Sequence, residues 1–145
     1  MNKLLLIILF LLTVLAVMPA DAKSEGLETL TIKIYGFPNN NGVARVGLYN
    51  SEATFAGKGK AFREVKIKIK DKKAICEFKD IPQGEYAVRL FHDENMNGNL
   101  EKNIMGIPKE AYGVSNNTKS KTGPPKYKRA KFKLTKSKAI DIKIN

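Results

Sequence analysis

The 145 residues include one cysteine and one histidine. A lone cysteine, Cys76, excludes an internal disulfide, so a stable domain must rest on its buried core and on whatever it binds. No cysteine follows the apolar run at the start of the chain, which argues against lipid attachment there. That run, fourteen residues over 4–17, falls short of the roughly 20 apolar residues that a membrane-spanning helix needs. Heptads, internal repeats and long helical faces are missing, as are nucleotide-binding motifs and the Gly-aromatic stacking motifs of RNA-binding sheets. Acidic residues are few, 14 against 26 Lys and Arg, which leaves a net charge of +12.

Lys3, the apolar run and the small-x-small ending of Pro19-Ala20-Asp21-Ala22 predict a secretory signal peptide over residues 1–22. The rest of the chain, residues 23–145, then forms a single β-sandwich domain of about 120 residues, long enough for one core. The expected location is exported, periplasmic or extracellular.

Period-2 alternation dominates this part. Leu30, Ile32 and Ile34 mark a first strand, and residues 43–49 a second in which Gly47 signals a bulge or a close approach. Residues 51–61 read as a loop, with Phe55 and Phe62 folding back over an open end of the core. Val65, Ile67 and Ile69 point inward against outward Lys66, Lys68 and Lys70, and Asp71-Lys72-Lys73 then predicts a hairpin into Ala74, Cys76 and Phe78. Parity with Ala74 and Phe78 makes Cys76 a small buried hydrophobe. Residues 80–84 turn the chain into a strand carrying Tyr86, Val88 and Leu90 inward. Residues 103–127 lack periodicity and contain Pro108, Gly113, Gly123, Pro124 and Pro125. Loops of that length are functional or disordered, so the excursion is a functional suspect. Ala130, Phe132 and Leu134, then Ile140, Ile142 and Ile144, give two closing strands. About seven short strands predict an all-β fold, an antiparallel two-layer β-sandwich of Ig-like or transthyretin-like kind, with a small barrel as the alternative.

Site chemistry concentrates in His92-Asp93-Glu94-Asn95-Met96-Asn97-Gly98-Asn99-Leu100-Glu101. Asp93, Asn95, Asn97, the Asn99 carbonyl and Glu101 match positions 1, 3, 5, 7 and 9 of an EF-hand calcium loop, with Gly98 at the sharp turn. Position 12, normally a bidentate Glu, is Ile104. Two formal charges, Asp93 and Glu101, predict weak affinity, Kd roughly 10⁻⁴ to 10⁻³ M. The same residues equally suit a ladder of Asx turns that holds no ion. His92 ends the core face of its strand and is expected to bond the loop. With Asp93 and Ser115 it also supplies the ingredients of a hydrolase, although no nucleophile-elbow spacing surrounds Ser115.

Residues 119–138 carry nine basic residues and no acidic one. Lys126, Lys128, Lys131 and Lys133 form a candidate anion-binding set for anionic envelope lipid or polymer, weakened by salt. Lysines that merely solvate strand faces are the other reading. Export argues against nucleic acid, and after processing an integral membrane protein is not expected. The overall lean is towards a non-enzymatic module.

Residues 81–88, reading Ile-Pro-Gln-Gly-Glu-Tyr-Ala-Val, run into His92-Asp93-Glu94-Asn95-Met96-Asn97-Gly98 in a pattern that resembles the bacterial family called domain of unknown function 2141. The likeness extends to Leu48-Tyr49-Asn50 and Phe55, to residues 106–117 and to Gly123-Pro124-Pro125. It covers nearly all of the mature chain. It implies an exported protein of unassigned activity with a fold similar to transthyretin-like or carboxypeptidase-regulatory sandwiches. Glu101 stands where the family more usually has Asp, which changes the reach of that ligand.

Overall fold

The computed structural model describes residues 26–120 and 122–145. The predicted signal peptide therefore lies outside the described residues. Eight strands form: β1 Leu27–Tyr35, β2 Val43–Tyr49, β3 Arg63–Lys68, β4 Lys73–Pro82, β5 Gly84–Asp93, β6 Tyr112–Val114, β7 Phe132–Leu134 and β8 Lys138–Lys143. Two helical turns, α1 (Glu52–Phe55) and α2 (Tyr127–Ala130), and a 3-10 turn, Ser115–Asn117, complete the elements.

The strands make an all-β sandwich. One sheet has the order β4-β1-β8 and the other β3-β2-β5-β6, with β7 also paired to β5. The alternating residues become the two inner faces. Leu30, Ile32, Ile34, Ala74, Cys76, Phe78 and Ile142 from the small sheet meet Val46, Leu48, Val88 and Leu90 from the large one. β-Branched side chains fit this pleated, one-sided burial. On the outer edge of the large sheet, β3 buries none of its residues fully, and its lysines discourage pairing with a further strand.

Three features differ from the sequence expectation. The turn at Asp71-Lys72 forms, with both residues at positive φ and Lys70 and Lys73 exchanging backbone hydrogen bonds of 2.9 Å. The strands it joins nevertheless part company, β3 to β2 and β4 to β1, so the turn is a corner between sheets rather than a hairpin. The last strand, β8, runs parallel to β1 with Leu30 opposite Lys138, and every other strand pair among the described residues is antiparallel. Phe55 does not close the end of the main core. It joins Ala87, Val114 and Ala130 in a second cluster. Ala87 faces opposite to Tyr86 and Val88, so β5 is covered on both sides, the outer one by α1, α2 and the 3-10 turn. The aperiodic excursion is thereby partly built into the fold.

Candidate functional site

β5 delivers His92 and Asp93 to one end of the sandwich, both with no exposed surface. The His92 ring stands edge-on to Phe37, centroids 5.3 Å apart. Its Nε2 lies 2.6 Å from the Asn41 carbonyl oxygen. A carbonyl only accepts, so Nε2 carries the proton and Nδ1 is left without a hydrogen-bond partner. This bond ties the 38–42 turn to the end of β5. The same turn comes very close at Gly42, whose φ is +62°. A Cβ there would sit 2.0 Å from the Asp93 carbonyl oxygen.

Asp93 is held through one oxygen only. Oδ2 accepts from Arg45 Nε at 2.5 Å and from the Gly98 N–H at 3.0 Å. Oδ1 is buried and has no hydrogen-bond partner. Burial pushes this carboxyl up, but the bond and charge of Arg45 and the backbone N–H groups of Gly98 and Asn97 outweigh it and hold Asp93 below the usual carboxylate value. The guanidinium also packs on Gly98, where a Cβ would lie 3.0 Å from Arg45 Nη2.

Beyond Asp93 the loop is a ladder. Asn95 Oδ1 accepts the Asn97 N–H at 3.1 Å, and Asn97 Oδ1 accepts the Asn99 N–H at 2.8 Å. The Nδ2 groups of Asn95 and Asn97 both donate to Glu101 Oε1, at 3.0 and 2.9 Å. Asn95, Asn97 and Glu101 are thus brought together, while the Asn99 side chain turns back to the Asn97 carbonyl at 3.3 Å. These are the bonds of the Asx-turn reading. Among the described residues no cluster of three or more His, Cys, Asp or Glu side chains is arranged to hold a metal.

The hydrolase constellation is not assembled. Ser115 Oγ accepts the Val88 N–H at 2.9 Å and donates to the Ala130 carbonyl at 2.6 Å. Val88 and His92 are four residues apart on β5, about 13 Å of strand. Ser115 instead fastens the excursion to β5, satisfying a backbone group that β6 does not reach.

The four candidate lysines sit around α2 and β7. Lys126, Lys128 and Lys133 are exposed, and Lys131 is half-buried with its Nζ on Glu85 Oε2 at 2.8 Å. That contact raises the Lys131 ammonium and lowers the Glu85 carboxyl, mainly through the hydrogen bond between them. Arg45 is the residue that sequence reasoning passed over. Its only signal is a lone cation inside the otherwise apolar strand Val-Ala-Arg-Val-Gly-Leu-Tyr.

A family model described as "Uncharacterized protein conserved in bacteria (DUF2141)" matches residues 32–143. The chain belongs to this family. The DUF2141 match starts within β1 and ends at the last residue of β8, so it spans the sandwich, the Asp93 loop and the excursion together. No curated protein and no solved structure matches the chain.

Proposed function

We propose that this DUF2141 chain is an exported, non-enzymatic β-sandwich module whose loop from Asp93 to Glu101 takes up calcium. The observation that carries the reading is the orphaned Asp93 Oδ1, buried at position 1 of the ligand pattern. A buried carboxylate oxygen without a partner is costly, and a cation relieves it. Asn95, Asn97 and Glu101 already converge, and ion entry requires the two amides to turn their oxygens inward, away from the Asn97 and Asn99 N–H groups, and to release Glu101. Calcium tolerates such irregular oxygen cages, whereas magnesium demands a tight octahedron. Arg45 offsets part of the charge of Asp93, which keeps the affinity in the weak range of roughly 10⁻⁴ to 10⁻³ M. Residues 1–22 support export by their sequence, and the engaged state of Ser115 supports a role other than hydrolysis. The exposure of Lys126, Lys128 and Lys133 favours a second reading, adhesion to anionic envelope lipid or polymer through them and Lys131.

Isothermal titration with calcium in chelator-treated buffer tests the ion directly. At about tenfold excess over Kd the folded state gains roughly 1.4 kcal/mol, a melting shift of about 3 to 6 °C for a domain of this size. Magnesium gives less. The combined variant Asn97→Ala, Glu101→Gln, which leaves the Asp93 to Arg45 bond in place, removes the shift. Absence of heat and of any shift at about 10 mM calcium, well above the expected Kd, refutes the reading.

A further inference from the structure

Residues 101–109 form a small hairpin. Lys102 and Pro108 pair as an antiparallel bridge. The Lys109 N–H donates to the Glu101 carbonyl at 2.8 Å and the Asn103 N–H to the Ile107 carbonyl at 2.9 Å. Asn103 Oδ1 accepts the N–H groups of Met105 and Ile107, at 2.9 and 3.0 Å. The tip therefore satisfies its own backbone without using the side chains of Ile104, Met105 and Ile107. Those three are 105%, 75% and 52% exposed. Among the described residues six large hydrophobic side chains are exposed, and four of them, these three and Met96, lie between residues 96 and 107. Turn tips are ordinarily polar, and a concentrated apolar patch marks a contact surface.

The shape and charge of the hairpin select its occupant. Five tip residues offer far less than the roughly 800 Å² per partner that a stable protein interface buries, whereas a bilayer surrounds an inserted tip on all sides. Lys102 and Lys109 flank the apolar residues, on a chain of net charge +12. Glu101 and Glu110 sit one residue further back, where Glu110 Oε2 accepts the Glu101 N–H at 3.2 Å. Apolar side chains at the tip with ammonium groups just behind them match the acyl boundary and the phosphate layer of an anionic membrane. We propose that residues 103–107 insert into the interface of an anionic lipid bilayer, with Lys102 and Lys109 at headgroup level. This goes beyond the calcium reading and does not require the ion, because the hairpin is closed by its own hydrogen bonds. It also assigns lipid contact to a segment separate from Lys126, Lys128, Lys131 and Lys133.

The chain contains no tryptophan, so Ile104→Trp is an unambiguous reporter. The experiment uses the full processed chain, in chelator, with vesicles of phosphatidylcholine alone or mixed with phosphatidylglycerol. With anionic vesicles the indole emission of this variant shifts to the blue and is quenched by acyl-brominated lipid. Ile104→Ser, Met105→Ser, Ile107→Ser together reduce co-sedimentation at least tenfold with the melting temperature unchanged, since all three side chains are exposed. Lys102→Gln and Lys109→Gln weaken binding by about fivefold each. Replacing Lys126, Lys128, Lys131 and Lys133 with Gln preserves the blue shift at saturating lipid. An unshifted, unquenched indole spectrum from the Ile104→Trp variant overturns the proposal, as does a triple-serine variant that binds like the wild type. So does a triple-serine variant that loses only self-association, which would make the tip a contact between proteins.

Discussion

Replacing Gly42 with Ala should be among the most damaging single-methyl changes in this chain, and the reason lies in backbone rather than side chains. The added Cβ would meet the Asp93 carbonyl oxygen at 2.0 Å, Glu94 Cα at 2.7 Å and Glu94 O at 2.8 Å. None of these can rotate away. Reaching an ordinary contact of 3.4 Å requires the end of β5 to retreat by more than an ångström. Overpacking of this kind costs about 1–3 kcal/mol, and the left-handed φ of +62° adds about 1–2 kcal/mol for a residue bearing a Cβ. The sum, about 2–5 kcal/mol, corresponds to a fall in Tm on the order of 8–20 °C. Gly57→Ala is the control, because Gly57 has φ +89° but no atom within 4 Å of its Cβ position. It incurs the conformational part alone. Thermal unfolding of both variants by circular dichroism separates the two contributions. A Gly42→Ala protein that melts within about 2 °C of Gly57→Ala would refute the steric argument. Because the displaced strand end carries Asp93, Gly42→Ala should also lose the proposed calcium binding while Gly57→Ala leaves it unaffected.

The acid limb of stability should depend on Asp93, whose carboxyl is held below its ordinary value by Arg45 and Gly98 despite burial. Its contribution is complete above the unfolded value of about 3.9 and is lost as pH falls towards the lower folded value. Asp93→Asn should therefore be less stable than wild type at pH 7, with the difference narrowing below about pH 4; melting curves that stay parallel down to about pH 2.5 would contradict this. At Cys76, burial and then the neighbouring Glu77 carboxylate push the thiol up to about 11. At about pH 8 roughly one thiol in a thousand is thiolate, so an aromatic disulfide reagent should label the native protein only at the rate of unfolding, and rapid stoichiometric labelling would show an accessible thiol instead.

The inward faces were readable because a period of two is a local property. Leu30, Ile32 and Ile34 or Ala74, Cys76 and Phe78 announce a buried face whatever strand lies alongside. Partner and direction are not local, which is why the parallel arrival of β8 beside β1 and the divergence of β3 from β4 were invisible. The candidate loop shows the same division. Asx turns at Asn95 and Asn97 follow from neighbours two residues away, and they form. The Arg45 bond to Asp93 spans 48 residues and the Ser115 bond to Val88 spans 27, and no spacing rule reports such distances. The 112–114 segment of β6, at three residues, is too short to establish an alternation.

β1 lies between β4 and β8 in the small sheet, so the first described strand is completed by the last. Leu30 faces Lys138 and Tyr35 faces Lys143, a separation of nearly the whole domain. Closing so long a loop is entropically slow, and chains dominated by such pairings fold in milliseconds to seconds rather than microseconds. Until residues 138–143 arrive, β1 presents an open edge and Leu30, Ile32 and Ile34 lack the cover that Ile142 provides. A growing chain must therefore wait for β8 before the sandwich closes, and removal of that strand should leave an open sheet edge prone to pairing with other chains.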